Sequence, residues 1–243
     1  MMLSNVDNQQ PYGEGIQPHW IIVATVCIIL GLFFVFAAFQ YFMYTMGAVG
    51  FIFASSVTWL ILTLAEPKEG YPSVGLVYVG SCMGAGLVVS LLAMYFWPIT
   101  LPLMGWLAGF VLGMYVYMWR EDHILLNIYA RMFTAAGMGT IMAILTYIVE
   151  SMIVVLATSV LGGFLFILGI DMLVHTGLVQ AIRSLFNANP FHTVVYHVDH
   201  KIYAMLSAIL VIIFISVALQ MHVHNGRRFG INLIPVLEPP VQG

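Results

Sequence analysis

Three long apolar blocks and one shorter run organise the chain: Trp20 to Leu64, Val74 to Met118, Leu125 to Val174, and Ile202 to Gln220. A helix needs about twenty apolar residues to cross the hydrocarbon of a bilayer. Each of the three blocks is about twice that length, so each predicts a helical hairpin, and the last run predicts a single span. The blocks divide at residues that favour an interface or stop a helix: Gln40 and Tyr41, Trp97 and Pro98, and Glu150. The expected fold is all-α, a polytopic membrane helix bundle of about seven transmembrane helices arranged as three helical hairpins plus one helix. A polar N-terminal tail spans 1–19, the transmembrane domain 20–221 and a C-terminal tail 222–243. The hairpin turns must be very short. The connections on the opposite side, Ala65 to Pro72, Trp119 to Ile124 and Thr176 to Lys201, are longer and hold most of the charge.

Composition supports the membrane reading. Residues are 62% hydrophobic and 7% charged with a mean hydropathy of +1.01, against roughly 25% charged residues in an ordinary soluble domain. The apolar runs are continuous rather than alternating, which excludes the pattern of an outer-membrane barrel. A net charge of −3 offers no basic patch for nucleic acid. Met1 to His19 contains no Lys or Arg, so no cleavable signal is expected, and no lipidation signature is visible. Cys27 and Cys82 fall inside apolar spans and read as buried thiols.

Gly105, Gly109 and Gly113 recur every four residues in the fourth span, which places them on one face and lets another backbone approach closely. Gly80 and Gly84 in the third span, and Ser159 and Gly163 in the sixth, repeat the spacing. These residues predict helix packing within the bundle, with a dimer interface as the alternative. Gly50-Phe51, Gly109-Phe110 and Gly163-Phe164 suggest that the hairpins are related repeats. The 16 Met residues read as adaptable filler. Trp20, Tyr71, Trp97, Tyr117, Trp119 and Tyr203 lie near span ends, where amphipathic rings prefer the interface.

Ionisable groups within a membrane need a reason. Arg131, near the start of the fifth helix, and Asp171, near the end of the sixth, lie at similar depth on one side. They predict a salt bridge locking the third hairpin, with a permeation or proton-transfer site on the same carboxylate as the alternative. His175, His192, His197 and His200 gather near Asp199 on one membrane side. They lack the ligand spacing of a metal site and read as interfacial polar residues. Nucleophile elbow, P-loop, dinucleotide fingerprint and zinc-protease helix are all missing. No enzyme activity, cofactor or metal is expected.

The run Ala157-Thr158-Ser159, Leu161-Gly162-Gly163-Phe164, Leu168-Gly169-Ile170-Asp171 and His175-Thr176-Gly177 resembles the transmembrane-protein-198-like family. Gly31-Leu32-Phe33 leading to Gln40-Tyr41-Phe42 and Gly50-Phe51, and Gly86-Leu87 leading to Gly105 and Gly109-Phe110, extend the resemblance over about Gly31 to Gln220. The resemblance implies a seven-helix protein of the plasma membrane or endomembranes, with relatives tied to receptor assembly in Wnt signalling. The positive-inside rule favours a cytoplasmic N-terminus, whereas the resemblance implies a cytosolic C-terminus. Three functions are open: a noncatalytic scaffold or signalling and assembly component, an ion channel or transporter using Arg131 and Asp171, and an accessory subunit of a larger membrane complex. The expected partners are the lipid bilayer and either another membrane protein or a second copy of the chain.

Overall fold

The computed structural model describes residues 18–65, 74–119, 128–186 and 200–223. All regular structure among them is helical: α1 Pro18–Phe36, α2 Phe42–Leu64, α3 Val74–Tyr95, α4 Trp97–Tyr117, α5 Ile128–Ile148, α6 Glu150–Val174, α7 Leu178–Phe186 and α8 His200–Val223. Six of these, α2 to α6 and α8, are long and apolar enough to cross a membrane by length and composition. α1 has 19 residues and reaches about 28 Å at ~1.5 Å per residue, close to the hydrocarbon thickness of about 30 Å. The outward surfaces carry large apolar side chains such as Leu76, Leu91, Phe133, Ile141 and Phe214. This is the surface of a protein solvated by lipid.

The divisions within the three blocks fall at Tyr41, Phe96 and Val149, the residues that precede α2, α4 and α6. Their backbones are alike, with φ/ψ of −110°/63°, −94°/42° and −130°/59°. Each donates its N–H four residues back, to Ala37, Leu92 and Leu145, and each accepts from four residues ahead, from Thr45, Thr100 and Ile153. In the first two turns a threonine adds a bond across the break. Thr45 Oγ1 donates to Ala38 O at 2.6 Å, and Thr100 Oγ1 to Ala93 O at 3.1 Å. These hydroxyls satisfy carbonyls that a helix end would leave without a partner.

Tyr41, Phe96 and Val149 are spaced by 55 and 53 residues. The same intervals separate Gly31, Gly86 and Gly139 in the first helix of each hairpin. The hairpins are therefore structural repeats, in a register that pairs Gly109 with Gly162. The Gly-Phe pairs noted in the sequence do not share one register: Gly50 aligns with Gly105, one helical turn away from Gly109.

The arms of each hairpin meet at the turn and touch little beyond it. The most extensive packing joins the second helix of one hairpin to the first helix of the next: α2 with α3, α4 with α5, and α6 back to α1. The three hairpins thus interlock as a closed ring. α4 and α6 are the most buried spans, and α8 lies against α6 and α1 outside the ring.

Glycine sets the distance in these pairs. A Cβ added at Gly109 would stand 2.7 Å from Met138 O and 2.8 Å from Gly139 Cα, and one at Gly113 would stand 3.0 Å from Ala135 Cα. At Gly105 it would overlap Thr146 Oγ1. Gly162 occupies the corresponding place at the ring closure, with an added Cβ 3.0 Å from Gly31 O and 2.9 Å from Phe34 Cβ. Gly163 turns to α8, where an added Cβ would lie 3.1 Å from Ile213 Cγ1. Gly80 and Gly84 differ: nothing lies within 4 Å of a Cβ built on either. The expectation that these two glycines pack a neighbouring helix is corrected, because their face of α3 points out of the bundle alongside Leu76 and Val88.

Gly109→Leu should force α4 and α5 apart and destabilise the protein by about 1–3 kcal/mol, the usual range for overpacking. Gly84→Leu should stay within about 0.5 kcal/mol of wild type, as for a substitution away from packed features. Thermal unfolding of the purified chain in detergent tests both; equal losses would contradict the assigned faces.

Candidate functional site

Asp171 lies one turn before the end of α6 and is fully buried. The helix ends in a left-handed residue, His175 at φ 59°, whose N–H donates to Asp171 O at 2.7 Å. Gly177, at φ 110°, completes the reversal. Such positive φ values are the usual means of stopping a helix and turning the chain. The chain then enters α7, a nine-residue helix that packs against α6.

The Asp171 carboxylate organises this junction. Oδ1 accepts the N–H groups of Thr176 and Leu178, each at 3.1 Å, and the Thr176 hydroxyl. Oδ2 accepts the Val179 N–H at 2.9 Å. Leu178 and Val179 are the first residues of α7, so the carboxylate fills donors that a helix start leaves open and places negative charge at the positive end of its dipole. A nine-residue helix is marginal alone. Its apolar face, Leu178, Ala181 and Leu185, is buried in the main core.

Arg131 is in the first turn of α5 and only 5% exposed. It continues the buried stripe of Ala135, Gly139, Met142 and Thr146 that faces α4. Beside it the Thr134 hydroxyl donates to Arg131 O at 3.0 Å and bonds the Tyr117 hydroxyl from the last turn of α4. Tyr117 lies within electrostatic range of the guanidinium. Arg131 Nε has no hydrogen-bond partner, the one such buried side-chain nitrogen or oxygen among the described residues.

The expected salt bridge between Arg131 and Asp171 does not form among the described residues. Similar depth was not enough. The carboxylate finds closer donors five to eight residues along its own chain, while the arginine follows the α5 stripe toward α4.

A second buried polar cluster ties α8 to the ring. Gln220 Nε2 donates to Phe34 O at 3.1 Å, Val35 O at 3.3 Å and Ser216 Oγ at 3.0 Å. Thr158 Oγ1 donates to Gln220 Oε1 at 3.2 Å, Ser159 Oγ to Ser216 Oγ at 2.9 Å, and Ser216 Oγ to Val35 O at 3.1 Å. Phe34 and Val35 belong to the last turn of α1, whose carbonyls have run out of helix. At the other end of α8, Tyr115 OH donates to Leu206 O at 2.8 Å, and Trp119 lies between the rings of Tyr115 and Tyr203 with centroids 6.1 and 6.0 Å away.

Sequence reasoning missed the Gln220 cluster and α7. Each had a signal: Ser216 and Gln220 stand four residues apart at the end of the last span, and Leu178–Phe186 alternates with the apolar spacing of a half-buried helix. Of the histidine group, His175 is the left-handed cap and His200 opens α8. His192, His197 and Asp199 lie outside the described residues, as do residues 1–17 and 224–243.

Long apolar helices, lipid-facing aliphatic surfaces and polar groups turned inward define a polytopic helical integral membrane protein. Residues 24–221 match the TM7S3/TM198-like domain, and the chain belongs to that family. No curated protein and no solved structure matches it.

Asp171→Ala should destabilise the fold by about 2–4 kcal/mol, because it leaves several buried donors empty; Asp171→Asn, which keeps one acceptor, should lose about half as much. Gln220→Leu should cost about 1 kcal/mol, the scale of polar contacts between membrane helices. Unfolding midpoints in detergent check both, and a neutral Asp171→Ala would remove the carboxylate from its assigned role.

Proposed function

We propose that the chain is a noncatalytic multi-pass membrane scaffold or signalling and assembly component of the plasma membrane or an endomembrane. Its interlocked bundle would hold the connecting segments and C-terminal tail in place for membrane-protein partners or a second copy of the chain. Asp171 carries this reading. An acidic residue inside a membrane is by default a transport candidate, but this one has a structural task at the start of α7. Gln220, Ser216, Ser159 and Thr158 likewise bond helix to helix.

A second reading, an ion channel or transporter, is favoured by one observation: the buried Arg131 Nε without a partner. The third, an accessory subunit, predicts stable copurification with other membrane chains. Liposomes bearing the purified protein should hold potassium and chloride gradients as well as protein-free liposomes. A protein-dependent flux, abolished by Asp171→Asn in an assembled variant, would move the case to the transporter.

A further inference from the structure

We propose that Arg131 seats a phosphate-class oxyanion at the α4–α5 end of the bundle. The inference stands apart from whether the bundle conducts ions, since it concerns what neutralises one charge. An arginine side chain stays protonated in a protein. A buried cation without compensation is strongly unfavourable, and those found in membranes pair with one another or with carbonyls, or face a cavity.

Among the described residues, the usual compensations are engaged elsewhere. Asp171, the carboxylate of the described residues at this end of the bundle, holds the start of α7. The Tyr117 hydroxyl beside the guanidinium bonds Thr134, and Thr134 is in turn bonded to backbone. What remains among the described residues is a permanent charge on a side chain only 5% exposed, with its Nε buried and unfilled. The C-terminal end of α4 eases this charge through its dipole, but a dipole leaves the N–H without an acceptor.

Chemistry and depth select the occupant. The Nε edge of a guanidinium presents parallel N–H groups that match two oxygens of a phosphate better than a point anion. Arg131 is the fourth residue of α5, so it lies about 4.5 Å from the helix start at ~1.5 Å per residue. Trp119 and Tyr203, rings of the interfacial kind, lie at the same end of the bundle. A headgroup phosphate and free inorganic phosphate share this chemistry, and both reach that level.

The test uses the full chain in phosphatidylcholine bilayers, with and without phosphatidylglycerol, in phosphate-free buffer and then with inorganic phosphate. Solid-state NMR reads dipolar dephasing between phosphorus and arginine Nε. The Arg131 signal is assigned by its loss in Arg131→Lys, which keeps the charge if a neutral variant fails to fold. Dephasing of that signal in phosphate-free buffer supports the seat and names a lipid as the source. Dephasing only after inorganic phosphate is added supports it with a soluble source. In the lipid case, phosphatidylglycerol retained through purification should fall about tenfold in Arg131→Met, the loss of a charge-assisted hydrogen bond. No dephasing of the Arg131 signal under any condition would overturn the proposal. So would a coupling to a side-chain carboxylate that disappears in Glu121→Gln or Asp122→Asn.

Discussion

In hydrocarbon, a backbone N–H or C=O that finds no partner inside the protein finds none at all. Helix interiors answer this locally, so the difficulty concentrates where helices stop. The chain stops helices repeatedly, and many of its buried polar side chains lie at those stops. Asp171 fills the first donors of α7. Gln220 and Ser216 accept the charge-neutral task of meeting the last carbonyls of α1. Thr45 and Thr100 span the first two hairpin breaks. Fold and stability depend on this pairing, because a bundle with unfilled helix ends could not remain closed in lipid.

The same constraint explains the interlocked ring. A break of one residue between α3 and α4, or α5 and α6, leaves no room for the arms to fold flat against each other. Each arm therefore packs on the neighbouring hairpin, where Gly31, Gly86 and Gly139 face Phe166, Phe51 and Trp106. Lipid provides no hydrophobic drive for this association, so close backbone approach must supply it through van der Waals contact. That is the physical reason the repeats keep glycine at these positions. The ring leaves α3 among its most exposed members, and Gly80 and Gly84 face outward with it.

Much of the architecture was legible because length and apolarity alone dictate membrane spans, and Tyr41, Pro98 and Glu150 stand beside the observed breaks. Contacts were less legible. Gly80-x-x-x-Gly84 and Gly105-x-x-x-Gly109 have the same spacing, yet only the second meets a helix, since spacing states what a face permits and not what lies opposite it. Asp171 was recognisable as an ionisable group inside a span, but its partners were not. An arginine at matching depth drew attention from the Thr176-Gly177 reversal that brings the chain's own N–H groups to the carboxylate. α7 was hidden for a related reason: nine residues are too few to stand out beside spans of more than twenty.

The central requirement of the fold is that the Asp171 junction is closed in the membrane. Hydrogen–deuterium exchange of the wild-type chain in lipid nanodiscs measures this without any substitution. The amides of Leu178 and Val179 should exchange as slowly as those in the middle of α6. Exchange at the rate of an open loop would show that the carboxylate does not hold them, and would contradict the account at its base.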